Sequence, residues 1–95
     1  MLTLGKEAEK DIRDAYDWYE NQRQFLGKAF LSEIESTLEI IQENPQLYAY
    51  VQKSIRRALC KRFPYAVYYI ESESNVIVLA ILQQRRKPTI WQKRK

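Results

Sequence analysis

The sequence lacks the residue types that most often carry chemistry in small proteins. It contains no histidine and a single cysteine, Cys60, so it can form neither an internal disulfide nor a cysteine/histidine metal site. The absence of histidine also removes the side chain that most often transfers protons near neutral pH. We therefore expect no metal and no cofactor, and the lone thiol suits a reducing cytoplasm.

Flexible and membrane-crossing segments are also scarce. Two glycines and three prolines among 95 residues leave little room for linkers. No apolar run has the roughly 20 residues of a membrane span, and the N-terminus lacks the apolar stretch of a signal peptide. The length fits one domain over residues 1–95, with a core of modest size. We expect a soluble, cytoplasmic protein.

Charge is divided unevenly along the chain. Residues 6–43 carry ten acidic and five basic side chains, net −5, whereas residues 44–95 carry two acidic and eleven basic ones, net +9. This division predicts a basic working surface on the C-terminal half, which suits nucleic acid, the ribosome or an acidic protein. The alternative is a charged surface that serves only solubility.

Two amphipathic helices are predicted in the acidic half. Apolar residues recur at helical spacing from Glu7 to about Gln22, and again from Phe25 or Leu26 to Glu43,. Asn44–Pro45 ends the second helix, because the residue before a proline is pushed out of the helical region. The short connection predicts an antiparallel hairpin. Its aromatic residues are interpreted as core or helix-seam residues: Trp18, Tyr19 and Phe30.

A β-hairpin is predicted in the basic half. Tyr65–Ile70 and Val76–Leu82 are rich in β-branched and aromatic residues, and the Ser72–Asn75 stretch between them has the composition of a hairpin loop,. Neither run alternates strictly between apolar and polar residues, so both strands should be largely covered. Ile55 to about Arg62 predicts a further strand. The fold class is therefore α+β, with an antiparallel helical hairpin packed on a mainly antiparallel sheet of three to four strands.

Three segments are less clearly patterned. Leu2–Leu4 could form a short edge strand, although three residues are few. Residues 46–54 are predicted to be a connector that packs on the helix ends. After Pro88 the chain should form a short tail with a loose end, anchored if at all by Ile90 and Trp91,.

The order of these segments resembles the RelE/ParE superfamily of toxins from bacterial type II toxin-antitoxin modules, nearer its ParE-like branch. The similarity covers nearly the whole chain. It rests on Ala8-Glu9-Lys10-Asp11-Ile12, Trp18-Tyr19-Glu20, Gly27 with Phe30, Asn44-Pro45, Ile55-Arg56-Arg57, Arg62-Phe63-Pro64-Tyr65 with Val67 and Tyr69, and Arg85-Arg86-Lys87-Pro88 followed by Trp91.

The resemblance implies a curved sheet, growth arrest as the outcome of activity, and a cognate antitoxin that wraps the toxin in a hetero-oligomer. ParE-like members, some of which stabilise plasmids, poison DNA gyrase. RelE-like members cleave messenger RNA on the ribosome.

An endonuclease would need a group that accepts the proton of the attacking 2′-hydroxyl and cations that stabilise the phosphorane. Where many relatives carry a histidine before the basic pair, this sequence has Gln83, which cannot exchange protons. If the protein is a nuclease, the catalytic candidates are Arg85, Lys61 and Tyr65. The missing acid/base pair favours a ParE-like toxin that binds gyrase, with the RelE-like nuclease as the alternative. A weaker alternative is a non-toxic basic domain that binds nucleic acid.

Five residues are predicted to contact a target or an antitoxin: Arg56, Arg85, Arg86, Lys87 and Trp91. For Arg56, with Arg57, the favoured alternative is a structural role, either fixing the sheet margin or pairing with helix acids such as Glu33 or Glu35. Cys60 is interpreted as a small buried side chain rather than a nucleophile.

Overall fold

A computed structural model describes the backbone of residues 1–86 and 88–94, without the side chains of Pro88 and Thr89. Within these residues the secondary structure runs β1 (Leu2–Leu4), α1 (Lys6–Gln22), α2 (Leu26–Glu43), β2 (Tyr50–Gln52), β3 (Ile55–Leu59), β4 (Tyr65–Ser72), β5 (Asn75–Gln83) and α3 (Pro88–Gln92). The predicted α+β class, with two long helices packed on a mostly antiparallel sheet, is confirmed. The described part of the sheet has five strands rather than three to four.

The strand order is β1-β5-β4-β3-β2. The edge strand predicted at Leu2–Leu4 is confirmed, and it pairs with β5 in parallel, with Leu2 opposite Val76. The other neighbours are antiparallel. The additional strand, β2, lies in the stretch predicted to be a connector. Its three residues include the exposed Tyr50 and Val51, so it carries no apolar periodicity that marks a strand.

The helices cover one face of the sheet. Tyr19 of α1 and Phe30 of α2 are buried against Phe63 and Tyr65, with ring centroids 4.9 to 6.0 Å apart. The prediction that Tyr19 and Phe30 are core residues is confirmed. The same prediction for Trp18 is wrong, because its side chain is 55% exposed. It lies one residue before Tyr19 on the helix, and its side chain therefore points about 100° away from that of Tyr19.

The other face of the sheet is covered in part by α3. Trp91 is buried and stacks on Tyr68, with 4.7 Å between ring centroids and 15° between ring planes. Ile55, Ala66 and Leu82 are buried in the same cluster. The segment predicted to be a short tail thus contains a short helix, and its predicted anchors do contact the core, Trp91 within it and Ile90 at its edge.

A β-bulge interrupts the pairing of the central strands. Tyr68 pairs with Ala80 and Tyr69 pairs with Val78, so Leu79 has no partner on β4. One extra residue on a strand leaves backbone groups without ladder partners and puts neighbouring side chains on the same face. Leu79 and Ala80 accordingly both belong to the cluster under α3. This bulge is one reason why the Val76–Leu82 run does not alternate.

Candidate functional site at the basic end of the sheet

Several chain segments meet where β3 ends, β4 begins and β5 ends. Leu59 pairs with Ala66, and Tyr65 pairs with Gln83. The backbone N–H of Gln84 donates to the carbonyl of Pro64 at 2.9 Å. The loop 60–64 and the turn 83–86 therefore lie side by side. We call the four exposed cations of this loop and turn the basic end: Lys61, Arg62, Arg85 and Arg86.

A carboxylate from α2 holds the loop that carries two of these cations. Glu33 accepts hydrogen bonds from the backbone N–H groups of Lys61, at 2.6 Å, and Arg62, at 3.1 Å. β3 was predicted to continue to about Arg62, but it ends at Leu59, because the chain turns here and is fixed by Glu33 rather than by a strand partner. The carboxylate bonds to the main chain and leaves both cationic side chains exposed.

The cations of the basic end are not neutralised at close range. None of the four forms an ion pair within 4.0 Å in the described part of the chain. Two shallow cavities flank Gln83. One of about 160 Å³ is lined by Asp11, Tyr65 and Arg86, among others. The other, about 250 Å³, is lined by Pro64, Gln83 and Arg85. The two arginines thus reach opposite sides of one glutamine, a geometry suited to binding an extended anionic partner.

The nuclease candidates do not form an acid/base pair here. Burial raises the pKa of the Tyr65 hydroxyl, although its contact with Gln83 and the charge of Arg86 act in the opposite direction. A proton acceptor at neutral pH needs a lowered pKa, so Tyr65 stays protonated. Lys61 is exposed and not desolvated. Arg85 is placed to stabilise negative charge, but Gln83 beside it cannot transfer a proton.

Arg56 does not belong to the basic end. It lies three residues before Leu59 on β3, about 10 Å along the strand,. Its guanidinium donates to the carboxylate of Glu71 at 2.7 Å, to the carbonyl of Tyr48 and to the hydroxyl of Tyr50 at 2.9 Å. Arg56 therefore fixes the sheet margin, which was the favoured alternative.

The proposed partners of Arg56 on α2 were wrong, since Glu33 bonds instead to the backbone of the 60–64 loop. Glu71, the acid that does pair with Arg56, lies on β4 next to the hairpin turn.

The other predicted contact residues have different surroundings. Arg85 and Arg86 are exposed, so a partner can reach them. Trp91 is only 4% exposed, and a partner could touch its indole only after displacing α3. Lys87 lies outside the described residues.

Cys60 is buried 3.6 Å from the hydroxyl of Thr37, and burial raises the pKa of its thiol. The prediction that Cys60 is a small buried side chain is therefore confirmed.

The structure adds an ion pair that the sequence analysis missed. Asp11 of α1 accepts from Arg94 at 2.5 Å and from the backbone N–H of Ile81 at 3.0 Å, while Arg94 also donates to the carbonyl of Leu79 at 3.4 Å. The pair therefore satisfies one backbone group of the bulge residue Leu79 and one of Ile81, two residues later. The sequence does contain a signal for this pair, because Asp11 is three residues after Ala8 and four before Ala15 and so lies at the edge of the buried stripe,.

A second concave surface lies on the helical hairpin. Between α1 and α2 is a groove of about 360 Å³, lined mainly by apolar surface of Ile12, Tyr16 and Leu31, with Arg13 and Lys28 also lining it. Phe25, in the connection between the helices, is 64% exposed.

Two further properties bear on function. None of the helices in residues 1–86 and 88–94 is long and apolar enough to cross a membrane. Over the same residues, no three acidic or cysteine side chains are grouped closely enough to hold a metal ion.

Comparisons with known proteins agree with the fold. Residues 2–88 match a family model described as the ParE toxin of the type II toxin-antitoxin system, parDE. Among solved structures, the chain is similar to a "Chromosomal ParDE TA system from P. aeruginosa", with a TM-score of 0.77 and 16% sequence identity, over 86% of this chain and 92% of that chain. A sequence search of curated proteins gave no significant match.

Proposed function

We propose, from the premise that this chain belongs to the ParE toxin family of type II toxin-antitoxin systems, that it arrests growth by binding and poisoning DNA gyrase in the cytoplasm. The observation that carries the proposal is the family match over residues 2–88, which includes both long helices and all five strands of the described sheet. The expected growth arrest follows from loss of supercoiling and from cleaved DNA held on the enzyme.

The chemistry at the basic end supports binding rather than catalysis. Arg85 and Arg86 are exposed and form no ion pair within 4.0 Å among the described residues. The neighbouring Tyr65 has a raised pKa, and the amide of Gln83 is neither an acid nor a base near neutral pH. A surface of this kind contributes affinity and orientation through charge, and it requires no proton transfer.

Supercoiling by purified gyrase tests the proposal. Relaxed plasmid, ATP and gyrase should yield less supercoiled product as the toxin approaches stoichiometric amounts. The double variant Arg85→Glu/Arg86→Glu should inhibit more weakly. Lys6→Glu/Lys53→Glu is a matched control, because it changes the net charge equally at two exposed positions away from the basic end. Undiminished supercoiling at a several-fold excess of folded toxin would remove gyrase as the target.

A cognate antitoxin is the second partner that we propose. The interhelical groove offers apolar surface and is also lined by Arg13, Lys28 and Asp17, which suits an amphipathic segment with acidic side chains that meet the two cations. The sheet edges at β1 and β2 also remain open to strand pairing in the described part of the molecule,. Because such a partner binds only the folded toxin, the complex should unfold at a higher temperature than the toxin alone.

The basic end should contribute to antitoxin binding as well as to toxicity. Arg85→Glu/Arg86→Glu should weaken both, since each partner would meet reversed charge. Calorimetry with the small protein encoded beside the toxin gene would measure the first effect, and growth on induction would measure the second. An unchanged affinity in the folded double variant would leave the basic end to the target alone.

A further inference from the structure

Trp18 is an exposed aromatic residue that internal packing does not explain. More than half of its side chain is open to solvent. Its ring contacts Tyr19 edge-on, with 5.1 Å between centroids, and Tyr19 in turn lies 6.0 Å from the ring of Tyr65. The indole is thus held in place from one side and exposed on the rest of its surface.

The position of Trp18 on α1 brings it close to the basic end. Trp18 follows Asp11 by seven residues, so the two side chains lie within about 20° of each other on the helix and about 10 Å apart along it. Asp11 lines the same cavity as Tyr65 and Arg86. Tyr65 pairs with Gln83, and its ring lies 6.0 Å from that of Tyr19, the neighbour of Trp18, so we infer that Trp18 lies on the same side of the molecule as the 83–86 turn.

The carboxylates around this surface do little to cancel the charge of the basic end. Asp11 is bonded to Arg94 and to the backbone of Ile81. Asp14 pairs with Lys10 at 2.8 Å. Glu33 accepts from backbone N–H groups, and Asp17, next to Trp18, lines the interhelical groove instead. The four cations of the basic end are therefore left available to a partner that also contacts the exposed indole.

We propose that Trp18 and the basic end together form a binding surface for single-stranded nucleic acid. Trp18 stacks on an unpaired base, and Arg85 and Arg86 bind the phosphates on either side of Gln83. Aromatic platforms beside a cationic track are the features by which proteins hold single strands without reading sequence. A single strand fits better than a duplex, because only an unpaired base can present its face to the indole.

The proposal does not rest on gyrase as the target, and either can fail without the other. An acidic protein segment would also be attracted by the four cations. It would not offer a flat aromatic face beside every negative charge, as a nucleotide does, and so would leave the exposure of Trp18 unexplained.

Fluorescence provides a direct test, because the two tryptophans of the chain have different surroundings. Trp18 is 55% exposed and Trp91 is 4% exposed, so a ligand that stacks on the surface quenches Trp18 alone. The probe is an oligothymidylate of about twelve nucleotides, within the usual site size, compared with a duplex of equal length. The single strand should bind more tightly and quench emission, and Trp18→Phe should abolish the quenching.

Variants separate stacking from charge. Trp18→Ala should weaken oligothymidylate binding by about fivefold or more, whereas Phe25→Ala, which removes an exposed aromatic outside this surface, should leave it unchanged. The logarithm of affinity should fall with the logarithm of salt concentration, and Arg85→Ala/Arg86→Ala should reduce that slope by about 1.4, or about 0.7 per phosphate.

Three results would overturn the proposal. The first is no binding of the single strand at low salt, and the second is duplex binding as tight as single-strand binding. The third is quenching that persists in Trp18→Phe. Because Trp18 is largely exposed, its substitutions should leave the fold intact, which circular dichroism can verify.

Discussion

Among single residues, Asp11 and Arg94 link the most distant parts of the chain. Their side chains are 10% and 15% exposed, and together they connect α1, the bulge in β5 and the residues after α3. Glu7 approaches Arg94 at 3.5 Å but is itself 63% exposed. A half-satisfied buried pair is costly, because the remaining charge and the freed backbone groups keep their desolvation penalty.

Asp11→Asn should therefore lower the free energy of unfolding by about 2 to 3 kcal/mol. Asp14→Asn is the matched control on the same helix. Its pair with Lys10 is exposed, at 67% and 63% for the two side chains, and such pairs contribute at most about 0.5 kcal/mol. Urea unfolding of both variants measures the difference. Equal, small losses would mean that the Asp11 contacts do not stabilise the fold.

The buried hydroxyl of Tyr69 should make the free energy of unfolding depend on pH in the alkaline range. Its hydroxyl donates to the carbonyl of Pro45 at 2.6 Å, and burial raises its pKa from 10.0 to about 12. The unfolded chain then loses this proton before the folded protein does. The stabilisation that this shift provides is complete below about pH 10 and is lost as the pH rises towards 12. The loss is at most about 3 kcal/mol.

Tyr69→Phe should be less stable than the natural protein at neutral pH and should lose less stability between pH 10 and 12. Denaturant unfolding at a series of pH values measures the free energy of unfolding of both proteins. The pKa values of Tyr19 and Tyr65 are also raised, but these residues contribute equally to the two proteins. The same alkaline slope in both would exclude Tyr69 as its source.

At the scale of elements, the helical hairpin depends on one acid and one glycine. Glu20 of α1 accepts from the backbone N–H groups of Phe25 and Gly27, each at 2.9 Å, and so caps the start of α2,. Phe25 adopts a left-handed conformation with φ of 69°, which reverses the chain within a few residues. At Gly27 the two helices approach so closely that a Cβ would lie 2.8 Å from the carbonyl oxygen of Tyr16.

Gly27→Ala should therefore destabilise the protein by about 2 kcal/mol through overpacking. The direction is informative, because alanine in an unobstructed helix would stabilise by about 1 kcal/mol. Gly5→Ala provides the comparison, since its Cβ would meet the carbonyl of Val78 at a more tolerable 3.2 Å. Thermal unfolding should show a clearly lower Tm for Gly27→Ala, and a higher one would contradict the close approach.

The sequence predicted long elements better than short ones. Both helices and the β4–β5 hairpin were predictable because periodicity and turn composition are local. β2 and α3 were not, because three exposed or half-exposed residues and a single turn of helix carry no period, and their formation depends on tertiary contacts such as Trp91 with Tyr68. The end of β3 at Leu59 depends on Glu33, which is 28 residues from Lys61.

At the scale of the whole molecule, the uneven charge becomes a surface. Arg85 and Arg86 were predicted as a pair from their adjacency in the chain. Lys61 and Arg62 join them only because β4 lies between β3 and β5, a fact that spacing cannot supply. Two other predicted contact residues do not belong to this surface. Arg56 is paired with Glu71, and Trp91 is buried. These findings motivate our proposal that the toxin binds its target through the basic end.

Trapping of cleaved DNA directly tests whether the toxin poisons gyrase through the basic end. Gyrase, supercoiled plasmid and equimolar toxin would be incubated, denatured with detergent and treated with protease, and the linear DNA measured. We expect linear product that rises with toxin, requires gyrase, and is reduced by Arg85→Glu/Arg86→Glu but not by Lys6→Glu/Lys53→Glu. No linear product above the gyrase control, together with new 5′ ends on messenger RNA in a translating extract, would contradict it.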